Sequence, residues 1–209
     1  MSNEIVIHEF TLPFGPMRLG SLGDELCLAT WLTGTKPNRP LSKMAAECHV
    51  QVRVGMTPVI MRAIDEFEMW CAGESRTFDL PLYIHGTDFQ KVVWNGLQKI
   101  NYAEMVTYTV LSTRIGRRSA IRAVAGACGA NPLHVIIPCH RVIGKGDLGG
   151  FAGGKDLKLR LLRHEYEVDQ KPSGLPIFYV KSRSSWGITA PTIPYLNFVS
   201  ALRTASGES

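Results

Sequence analysis

Two short helical patterns in the middle of the chain, Tyr108 to Ile115 and Ser119 to Cys128, flank a turn that contains Gly116. A glycine-containing turn between two short helices is typical of a helix-turn-helix. Two helices that pack together without touching DNA would give the same pattern, and the spacing alone does not separate these interpretations. The pattern therefore predicts a mainly helical fold for this part of the chain and leaves its role open.

The second of these helices consists almost entirely of small residues, and Arg122 is its only long polar side chain. A helix that reads bases in the major groove needs several long polar side chains. Small side chains instead let a helix backbone approach a narrow groove closely, with Arg122 as a single probe. Small residues also occur in tightly packed core helices, so this interpretation also stays open here.

A reactive-cysteine pattern follows this helix. Cys139 lies between Pro138 and His140, Asn131 precedes it, and Glu165 follows in a later helical segment. Proline fixes the local backbone, and an imidazole beside a thiol can take its proton. A thiol, an imidazole and a carboxylate with an amide nearby form the pattern of an activated sulfur nucleophile. We therefore predict that Cys139 is a nucleophile.

Composition limits the class of protein. The 209 residues suffice for one large domain or two small ones. No apolar stretch is long enough to cross a bilayer and the N-terminus lacks a signal-peptide pattern, so we expect a cytoplasmic protein. Five cysteines without paired spacing indicate free thiols in a reducing compartment. Residues 88–169 hold 12 Lys or Arg and 7 Asp or Glu, as a polyanionic partner requires.

The first third of the sequence predicts short strands and one helix. Residues 5–10 and 26–31 are apolar and favour strands, with a turn at residues 12–16. Residues 80–84 predict another strand or an extended linker. Thr57 and Pro58 begin a helix that Gly73 ends, and the predicted apolar face of this helix is Ile60, Met61, Ile64, Phe67 and Trp70.

Helical character predominates after residue 86. Thr87 or Asp88 can cap a helix whose apolar residues continue to Ile100. A glycine-rich loop at residues 148–154 precedes a last helix from about Lys155 to Glu167. We divide the chain into an N-terminal α/β domain at residues 1–86, a mainly helical C-terminal domain at residues 87–168 that contains the reactive-cysteine pattern, and an irregular tail at residues 169–209.

Six short motifs occur in a fixed order along the second half of the chain. They are Phe89 to Trp94, Thr107-Tyr108, Arg122 to Val124, Asn131-Pro132, Pro138 to Val142 and Leu161 to Glu165. Their sequences and order resemble the bacterial type of the O6-alkylguanine-DNA alkyltransferase family, the methylated-DNA–protein-cysteine methyltransferases. The resemblance is strong over residues 87–167, looser over residues 4–86 and absent over residues 170–209.

This resemblance implies a fold and a reaction. The N-terminal α/β domain would have a small antiparallel sheet with a helix, ribonuclease H-like, and the mainly α C-terminal domain a winged-helix-like helix-turn-helix. The reaction would be stoichiometric transfer of an alkyl group from O6-alkylguanine, and from O4-alkylthymine, in double-stranded DNA to Cys139 after base flipping through the minor groove. The resemblance implies a monomer that needs no cofactor or metal.

The resemblance also implies a role for each site residue. His140 would take the thiol proton through a water and Glu165 would polarise the imidazole, giving a reactive Cys139 thiolate at neutral pH. Tyr108 would donate to the leaving guanine, and Asn131 would order the turn before the active-site segment. The implied substrate pocket is Val142, Phe151, Ala152, Gly153 and Lys158. The implied DNA-binding residues are Arg122, which fills the gap left by the flipped base, with Ala123, Ala125, Gly126, Ala127, Thr107 and Ser119.

Three residues depart from the family pattern. Phe151 stands where tyrosine is common, Ala152 where some members have serine, and Ala125 where glycine is common. The first two remove hydroxyl contacts from the pocket, and the third changes how closely the helix can approach DNA. The range of O6 adducts therefore stays open.

Other functions would use the same residues differently. A non-catalytic lesion sensor would lack the cysteine, but Cys139 is present. A cysteine hydrolase unrelated to DNA leaves the small-residue helix unexplained. A transcriptional responder would need a cysteine-rich zinc module that residues 1–86 lack. No CxxC pair supports a metal site, although a zinc set could include Cys48, His49, Cys27 and His85.

Overall fold

The computed structural model describes residues 4–34 and 36–170, so the predicted tail beyond residue 170 lies outside the described residues. The strands are β1 (Glu4–Leu12), β2 (Gly15–Leu22), β3 (Glu25–Trp31), β4 (Gln51–Val54), β5 (Val106–Thr107) and β6 (Val142–Ile143). The helices are α1 (Arg39–Cys48), α2 (Pro58–Ala72), α3 (Asp88–Leu97), α4 (Tyr108–Arg114), α5 (Ile121–Gly129) and α6 (Lys155–Asp169).

The N-terminal sheet is mixed, with the strand order β3-β2-β1-β4. Its first three strands form antiparallel pairs, but β4 pairs with β1 in parallel, with Glu4 opposite Gln51. The prediction of an antiparallel sheet is therefore wrong at this edge. The chain passes through α1 between β3 and β4, and such a crossover connection lets a strand return in a parallel direction.

Helix α1 and strand β4 had no counterpart in the sequence-based prediction. Met44 is the one buried residue of α1, and Asn38 at its N-terminus makes no side-chain cap. All four residues of β4 are exposed. The pattern was present but overlooked: Leu41, Met44, Ala45 and Cys48 follow helical spacing in α1 and pack in one cluster, and Val52 and Val54 alternate with polar residues in β4.

Helix α2 follows its local signals. The Thr57 hydroxyl accepts a hydrogen bond from the Ile60 amide, Pro58 is the first helical residue, and Gly73 ends the helix with a left-handed φ of 73°. Ile60, Phe67 and Trp70 are buried as predicted. Met61 was placed on the same face incorrectly, since it is 56% exposed.

One hydrophobic core joins the N-terminal sheet to the C-terminal helices. Its buried members include Trp31 from β3, Phe67 from α2, Trp94 from α3 and Leu161 from α6. The Trp94 indole donates a hydrogen bond of 2.9 Å to the carbonyl of Ala127, which fixes α3 against α5. The same core includes Cys139 together with residues of α5 and α6, so it joins both helices to the active-site segment.

Contacts in the structure decide two predictions that the sequence left open. Residues 80–84 form an extended segment in which Leu82 makes a single parallel bridge to Leu26. At the start of α3 the cap is Thr87: its hydroxyl accepts from the Gln90 backbone amide, and the Gln90 side chain accepts from the Thr87 backbone amide, which together form a capping box. No helix among residues 4–34 and 36–170 is both long and apolar enough to cross a membrane.

Candidate active site

Cys139 begins a short 3₁₀ turn between Ile137 and β6. Its amide donates a hydrogen bond of 2.8 Å to the carbonyl of Ile137, and the residue is only 5% exposed. A cavity of about 390 Å³ opens beside Cys139, lined also by Tyr108, Ala125, Cys128, Gly129, Gly150, Phe151 and Ala152. The thiol is thus buried at the wall of a space large enough for a small organic group.

Asn131 organises the backbone that leads to Cys139. Its Oδ1 accepts a hydrogen bond from the Leu133 amide at 3.0 Å, and its Nδ2 donates to the Ile137 carbonyl at 2.8 Å and to Cys139 Sγ at 3.2 Å. Within this loop Val135 has a φ of 73°, a conformation that costs a β-branched residue about 1–3 kcal/mol. The Asn131 contacts stabilise that turn and direct a donor at the sulfur.

A buried ion cluster lies behind the thiol. His140 Nε2 lies 2.8 Å from Glu165 Oε1. Arg141 donates to both oxygens of the same carboxylate, through Nε to Oε2 and through Nη2 to Oε1, each at 2.9 Å. The Ala103 amide donates to Oε2 at 3.2 Å. Glu165 therefore accepts four hydrogen bonds, and it links His140 to Arg141.

Arg141 is a site residue whose role sequence reasoning missed. It stood within the quoted motif without a function, yet it is buried, it donates from Nη1 to the Ile100 carbonyl at 2.8 Å, and its guanidinium lies over the Tyr102 ring. An arginine inside an otherwise apolar run is itself a signal, because a buried guanidinium requires an anionic partner. Glu165 is that partner.

Burial raises the pKa of the Cys139 thiol, although the Asn131 hydrogen bond and the positive charge of Lys158 act in the opposite direction. Burial thus opposes ionisation of the sulfur, so the predicted reactive thiolate requires a neighbouring base to take the proton. The thiol lies in a low-dielectric wall, and these favourable contacts do not offset the cost of an ionised sulfur there. Loss of its proton has to accompany the reaction.

Glu165 stays ionised inside this site. Burial by itself raises the pKa of its carboxyl, but the charges and hydrogen bonds of His140 and Arg141 reverse that effect and lower it to about 2. The pKa of His140 is lowered by burial, against the attraction of Glu165. A carboxylate only accepts hydrogen bonds, so His140 Nε2 carries a hydrogen and donates it to Glu165.

Lys158 joins the glycine-rich loop to β6. Its Nζ donates to the Val142 carbonyl at 2.5 Å and to the Gly150 carbonyl at 3.1 Å. Burial lowers the pKa of Lys158 to about 8, partly offset by nearby Cys139 and Cys128. The predicted pocket residues Val142 and Lys158 are therefore brought together, and Lys158 contributes positive charge near the thiol.

The cavity wall opposite Cys139 carries Tyr108. Its hydroxyl donates a long hydrogen bond of 3.5 Å to the Gly150 carbonyl, and burial raises its pKa to about 12. The loop passes close to this ring: a Cβ on Gly149, whose φ is +65°, would lie 2.9 Å from Tyr108 Cε2. At neutral pH Tyr108 is therefore a protonated donor facing the cavity.

Phe151 lies between two imidazoles, with its ring centroid 5.6 Å from that of His134 and 6.5 Å from that of His140. His134 is a second buried residue that sequence reasoning missed. Its Nδ1 accepts from the Trp31 amide at 3.3 Å, and burial lowers its pKa to about 4.

Ala152 lines the cavity, while Gly153 packs against Leu157, where a Cβ on Gly153 would lie 2.6 Å from the leucine side chain.

The predicted DNA-binding residues of α5 divide between two faces. Arg122, Ala123 and Gly126 are exposed, and Ala125 is half-buried at the cavity. Ala127 is 4% exposed because that face of α5 packs on α3, so the structure removes it from the predicted surface.

The other two predicted DNA-binding residues lie in the helix-turn-helix itself. Thr107 caps α4 by accepting from the Val110 amide at 3.2 Å, and Ser119 is exposed before α5. Ser119 is therefore accessible to a partner, and Thr107 fixes the start of the helix that carries Tyr108.

The possible zinc set does not assemble. Cys48 Sγ lies 3.7 Å from His85 Nδ1, and His85 Nε2 lies 2.9 Å from Glu47. Over the described ranges 4–34 and 36–170, no group of three or more His, Cys, Asp or Glu side chains could hold a metal ion.

Known proteins match both the sequence and this geometry. Residues 88–167 match the family model of the 6-O-methylguanine DNA methyltransferase DNA-binding domain. A methylated-DNA–protein-cysteine methyltransferase of Mycobacterium tuberculosis is 36% identical over 179 residues, which cover 83% of this chain and 99% of that relative. The chain belongs to this family. The methyltransferase of Haemophilus influenzae is 44% identical over 110 residues, covering 52% of this chain but only 62% of the relative.

A solved structure of the family agrees with the fold. The crystal structure of Mycobacterium tuberculosis OGT in complex with DNA matches with a TM-score of 0.66 and 34% identity, over 79% of this chain and 94% of that one. The membership inferred from the sequence motifs is thus confirmed, together with the arrangement of a small mixed sheet and helices.

A methylated-DNA–protein-cysteine methyltransferase has a cysteine as its acceptor, and two cysteines line the cavity here. They are Cys139 and Cys128. Cys139 precedes the His140–Glu165 pair and receives the Asn131 donor. Burial raises the pKa of Cys128 to about 12, and no side chain among the described residues donates to its sulfur. The geometry therefore favours Cys139 over Cys128.

Proposed function

We propose that this chain repairs DNA by moving an alkyl group from O6-alkylguanine in a duplex onto Cys139, once per protein molecule. The observation that carries the proposal is the thiol at the wall of a 390 Å³ cavity, with the His140–Glu165 pair behind it. The same cavity reaches the exposed face of α5 through Ala125 and Gly129. A base that leaves the duplex beside α5 would enter this space.

Proton removal from Cys139 is the first requirement, since burial raises the pKa of the thiol. His140 Nε2 donates to Glu165, which leaves Nδ1 of the neutral ring with a free lone pair. Nδ1 is buried and has no hydrogen-bond partner within the described part of the chain. We assign Nδ1 as the base that takes the Sγ proton, through a water molecule, while Glu165 stabilises the imidazolium.

Transfer and release then follow. Sγ forms a bond to the alkyl carbon as the bond between that carbon and O6 breaks, and the electron pair of the broken bond moves into the guanine. Tyr108, whose pKa of about 12 keeps its hydroxyl protonated, donates to the guanine as this charge develops. Tyr108 gives its proton to the guanine, and the proton removed from Sγ then replaces it on Tyr108. The products are guanine and a thioether, which does not hydrolyse, so the protein acts once.

Base flipping is proposed to use α5. Arg122 is exposed and makes no hydrogen bond or ion pair with residues 4–34 or 36–170. A long cation beside the small exposed residues Ala123 and Gly126 suits insertion into the space that the extruded base leaves in the minor groove.

Several finer predictions belong to the same proposal. They are the ribonuclease H-like and winged-helix-like assignments, the boundaries at residues 86 and 168, O4-alkylthymine as a second substrate, a monomeric state and a cytoplasmic location. The parallel pairing of β5 with β6 beside α4 supports a winged-helix-like arrangement. The cavity volume supports entry of a single base with a small adduct.

The mass of the intact protein tests the proposed function. The full chain is incubated with a duplex that contains O6-methylguanine and is then weighed, and a gain of one methyl group is expected. Binding of the lesion without a gain in mass would contradict alkyl transfer and favour a lesion sensor. Hydrolysis of an activated ester without a methyl gain would favour a cysteine hydrolase.

Arg122→Ala is expected to slow transfer from duplex DNA by about 10- to 100-fold, because unstacking a base costs a few kcal/mol that the inserted side chain helps to offset. Transfer from free O6-benzylguanine, which needs no flipping, should slow far less. Both rates are measured by single-turnover quenching. Arg53→Ala is the matched control, since Arg53 pairs with Glu4 on the N-terminal sheet. Equal slowing with both substrates would contradict the intercalating role.

A further inference from the structure

A groove separate from the thiol cavity runs between α1 and the end of α5. It has a volume of about 420 Å³. One wall carries Lys36, Arg39 and Lys43, and the other consists of Gly126, Gly129 and Ala130. Gly129 also lines the thiol cavity, so the groove continues the surface on which the proposed DNA contact depends.

The small residues on this wall are not explained by packing within the protein. A Cβ added to Gly126 or to Gly129 would meet nothing within 4 Å, and neither residue has a positive φ. Both are exposed. Arg122, Ala123, Gly126, Gly129 and Ala130 follow helical spacing along one side of α5, about 12 Å long at 1.5 Å per residue. Something outside the described chain can therefore approach this backbone closely.

The opposite wall is positively charged. Lys36, Arg39 and Lys43 are exposed, and Arg39 and Lys43 are one turn apart on α1. Neither Lys36 nor Arg39 forms an ion pair with the residues that the structure describes. Lys43 lies 3.7 Å from Glu47, but Glu47 also contacts His85 at 2.9 Å. The one carboxylate in the groove leaves most of the positive charge of this wall uncompensated.

Positive charge also lies at the other end of α5. Arg117 and Arg118 are exposed in the turn before the helix. The small stripe thus has basic residues beyond both ends. A minor groove is likewise bordered by two phosphate backbones, one on each side. If α5 lies in the DNA minor groove and spans its width, the basic residues beyond one end of α5 meet one phosphate backbone. Those beyond the other end meet the opposite backbone.

We propose that Lys36, Arg39 and Lys43 bind the phosphate backbone of the duplex on the side opposite to Arg117 and Arg118. This extends the DNA-binding surface from the helix-turn-helix onto α1 of the N-terminal half. The inference rests on the proposed function, because it takes α5 to lie in the minor groove. Phosphate contacts fix the position of a protein on the duplex without reading sequence, so α1 would help to hold the cavity over the flipped base.

The salt dependence of duplex binding tests this inference. The dissociation constant is measured for an unmodified duplex across a salt series, with wild type and with the triple variant Lys36→Ala/Arg39→Ala/Lys43→Ala. Each phosphate contact contributes about 0.9 to the slope of log K against log salt. The triple variant is therefore expected to lose about 2.7 from the slope and to bind more weakly at low salt.

A matched variant separates contact from net charge. Arg53→Ala/Arg62→Ala/Arg76→Ala removes the same formal charge, but these guanidinium groups pair with Glu4, Asp79 and Asp169 and do not line the groove. It should keep the wild-type slope. An unchanged slope in the α1 variant, or an equal loss in both variants, would overturn the inference.

The proposed function is checked separately in the same samples. Transfer from free O6-benzylguanine, which carries no phosphate, reports whether the cavity is folded and reactive. The proposed function would be overturned if wild type acquired no alkyl group from free O6-benzylguanine or from a duplex with O6-methylguanine. If wild type reacts but the α1 variant keeps the wild-type salt slope, only the phosphate contact is overturned.

Discussion

Cys139→Ser is expected to abolish alkyl transfer, with a loss on the order of 10⁴- to 10⁶-fold, the range found when a catalytic nucleophile is removed. A serine hydroxyl in this wall would be a far weaker nucleophile than the thiol, and His140 has a lowered pKa that limits it as a base for an alcohol. The fold should survive, because a serine oxygen can still accept from Asn131 and the volume change is small. The free energy of unfolding, measured by thermal denaturation, should change by no more than about 1–2 kcal/mol.

The matched control is Cys128→Ser, since Cys128 lines the same cavity. This variant should retain transfer within a few-fold of wild type. The measurement is single-turnover transfer from a duplex with O6-methylguanine, together with binding of the same duplex. Loss of binding in Cys139→Ser would mean that the site contributes to DNA affinity, and retained transfer would contradict the assignment of the nucleophile.

Glu165→Gln is expected to destabilise the protein by about 3–5 kcal/mol, the usual cost of removing one partner from a buried ion pair. The substitution keeps the side-chain shape but leaves the Arg141 guanidinium buried without an anion. Transfer should slow on the order of 10²- to 10⁴-fold, because an amide does not hold the His140 tautomer that leaves Nδ1 as the base. Urea unfolding and transfer rates measure the two effects.

The same variant should change the acid stability. Wild-type Glu165 has a folded-state pKa of about 2, below the unfolded value of about 4.3. The native state therefore binds fewer protons in this window, so its stability contribution is complete above about pH 4.3 and is lost as the pH falls towards 2. The stability difference between wild type and Glu165→Gln should shrink over that interval.

Glu104→Gln provides the contrast for a more exposed carboxylate. Glu104 accepts from Arg114 at 2.7 Å near the surface, where such pairs contribute about 0.2–1 kcal/mol. Its replacement should leave transfer unchanged. A loss of stability as large as that of Glu165→Gln would contradict the special importance of the buried cluster.

Parts of this structure could be predicted because adjacent residues determine them. Thr57, Pro58 and Gly73 set the ends of α2 through caps that involve only neighbouring backbone. The turn between α4 and α5 is likewise marked by Gly116, with its φ of +70°. The motif around Cys139 was recognisable for a similar reason, since Cys139, His140 and their backbone turn are contiguous.

Other parts depend on contacts that the sequence does not display. The parallel pairing of β4 with β1 depends on the path of α1, and the apolar spacing of α1 predicts a helix without showing which strand the chain joins next. The burial of Ala127 depends on how α3 packs against α5. Small residues satisfy both a packed and an exposed face, so composition could not assign Ala127 to either.

The electrostatics of the site required its three-dimensional environment. Sequence adjacency of Cys139 and His140 suggested a thiolate, whereas burial raises the pKa of the thiol in the folded chain. Arg141 was adjacent to both, but its role appears only when Glu165 and the Ile100 carbonyl come within hydrogen-bond distance. The burial of Arg141 and its pairing with Glu165, 24 residues away in the sequence, cannot be inferred from neighbouring residues.

The central claim is that Cys139 is the alkyl acceptor, and peptide mapping of the reacted protein tests it most directly. The protein is incubated with a duplex carrying isotopically labelled O6-methylguanine, digested and sequenced by tandem mass spectrometry. One labelled S-methylcysteine at Cys139 and an unmodified Cys128 are expected. Label on Cys128, or on a residue outside the cavity, would contradict the claim.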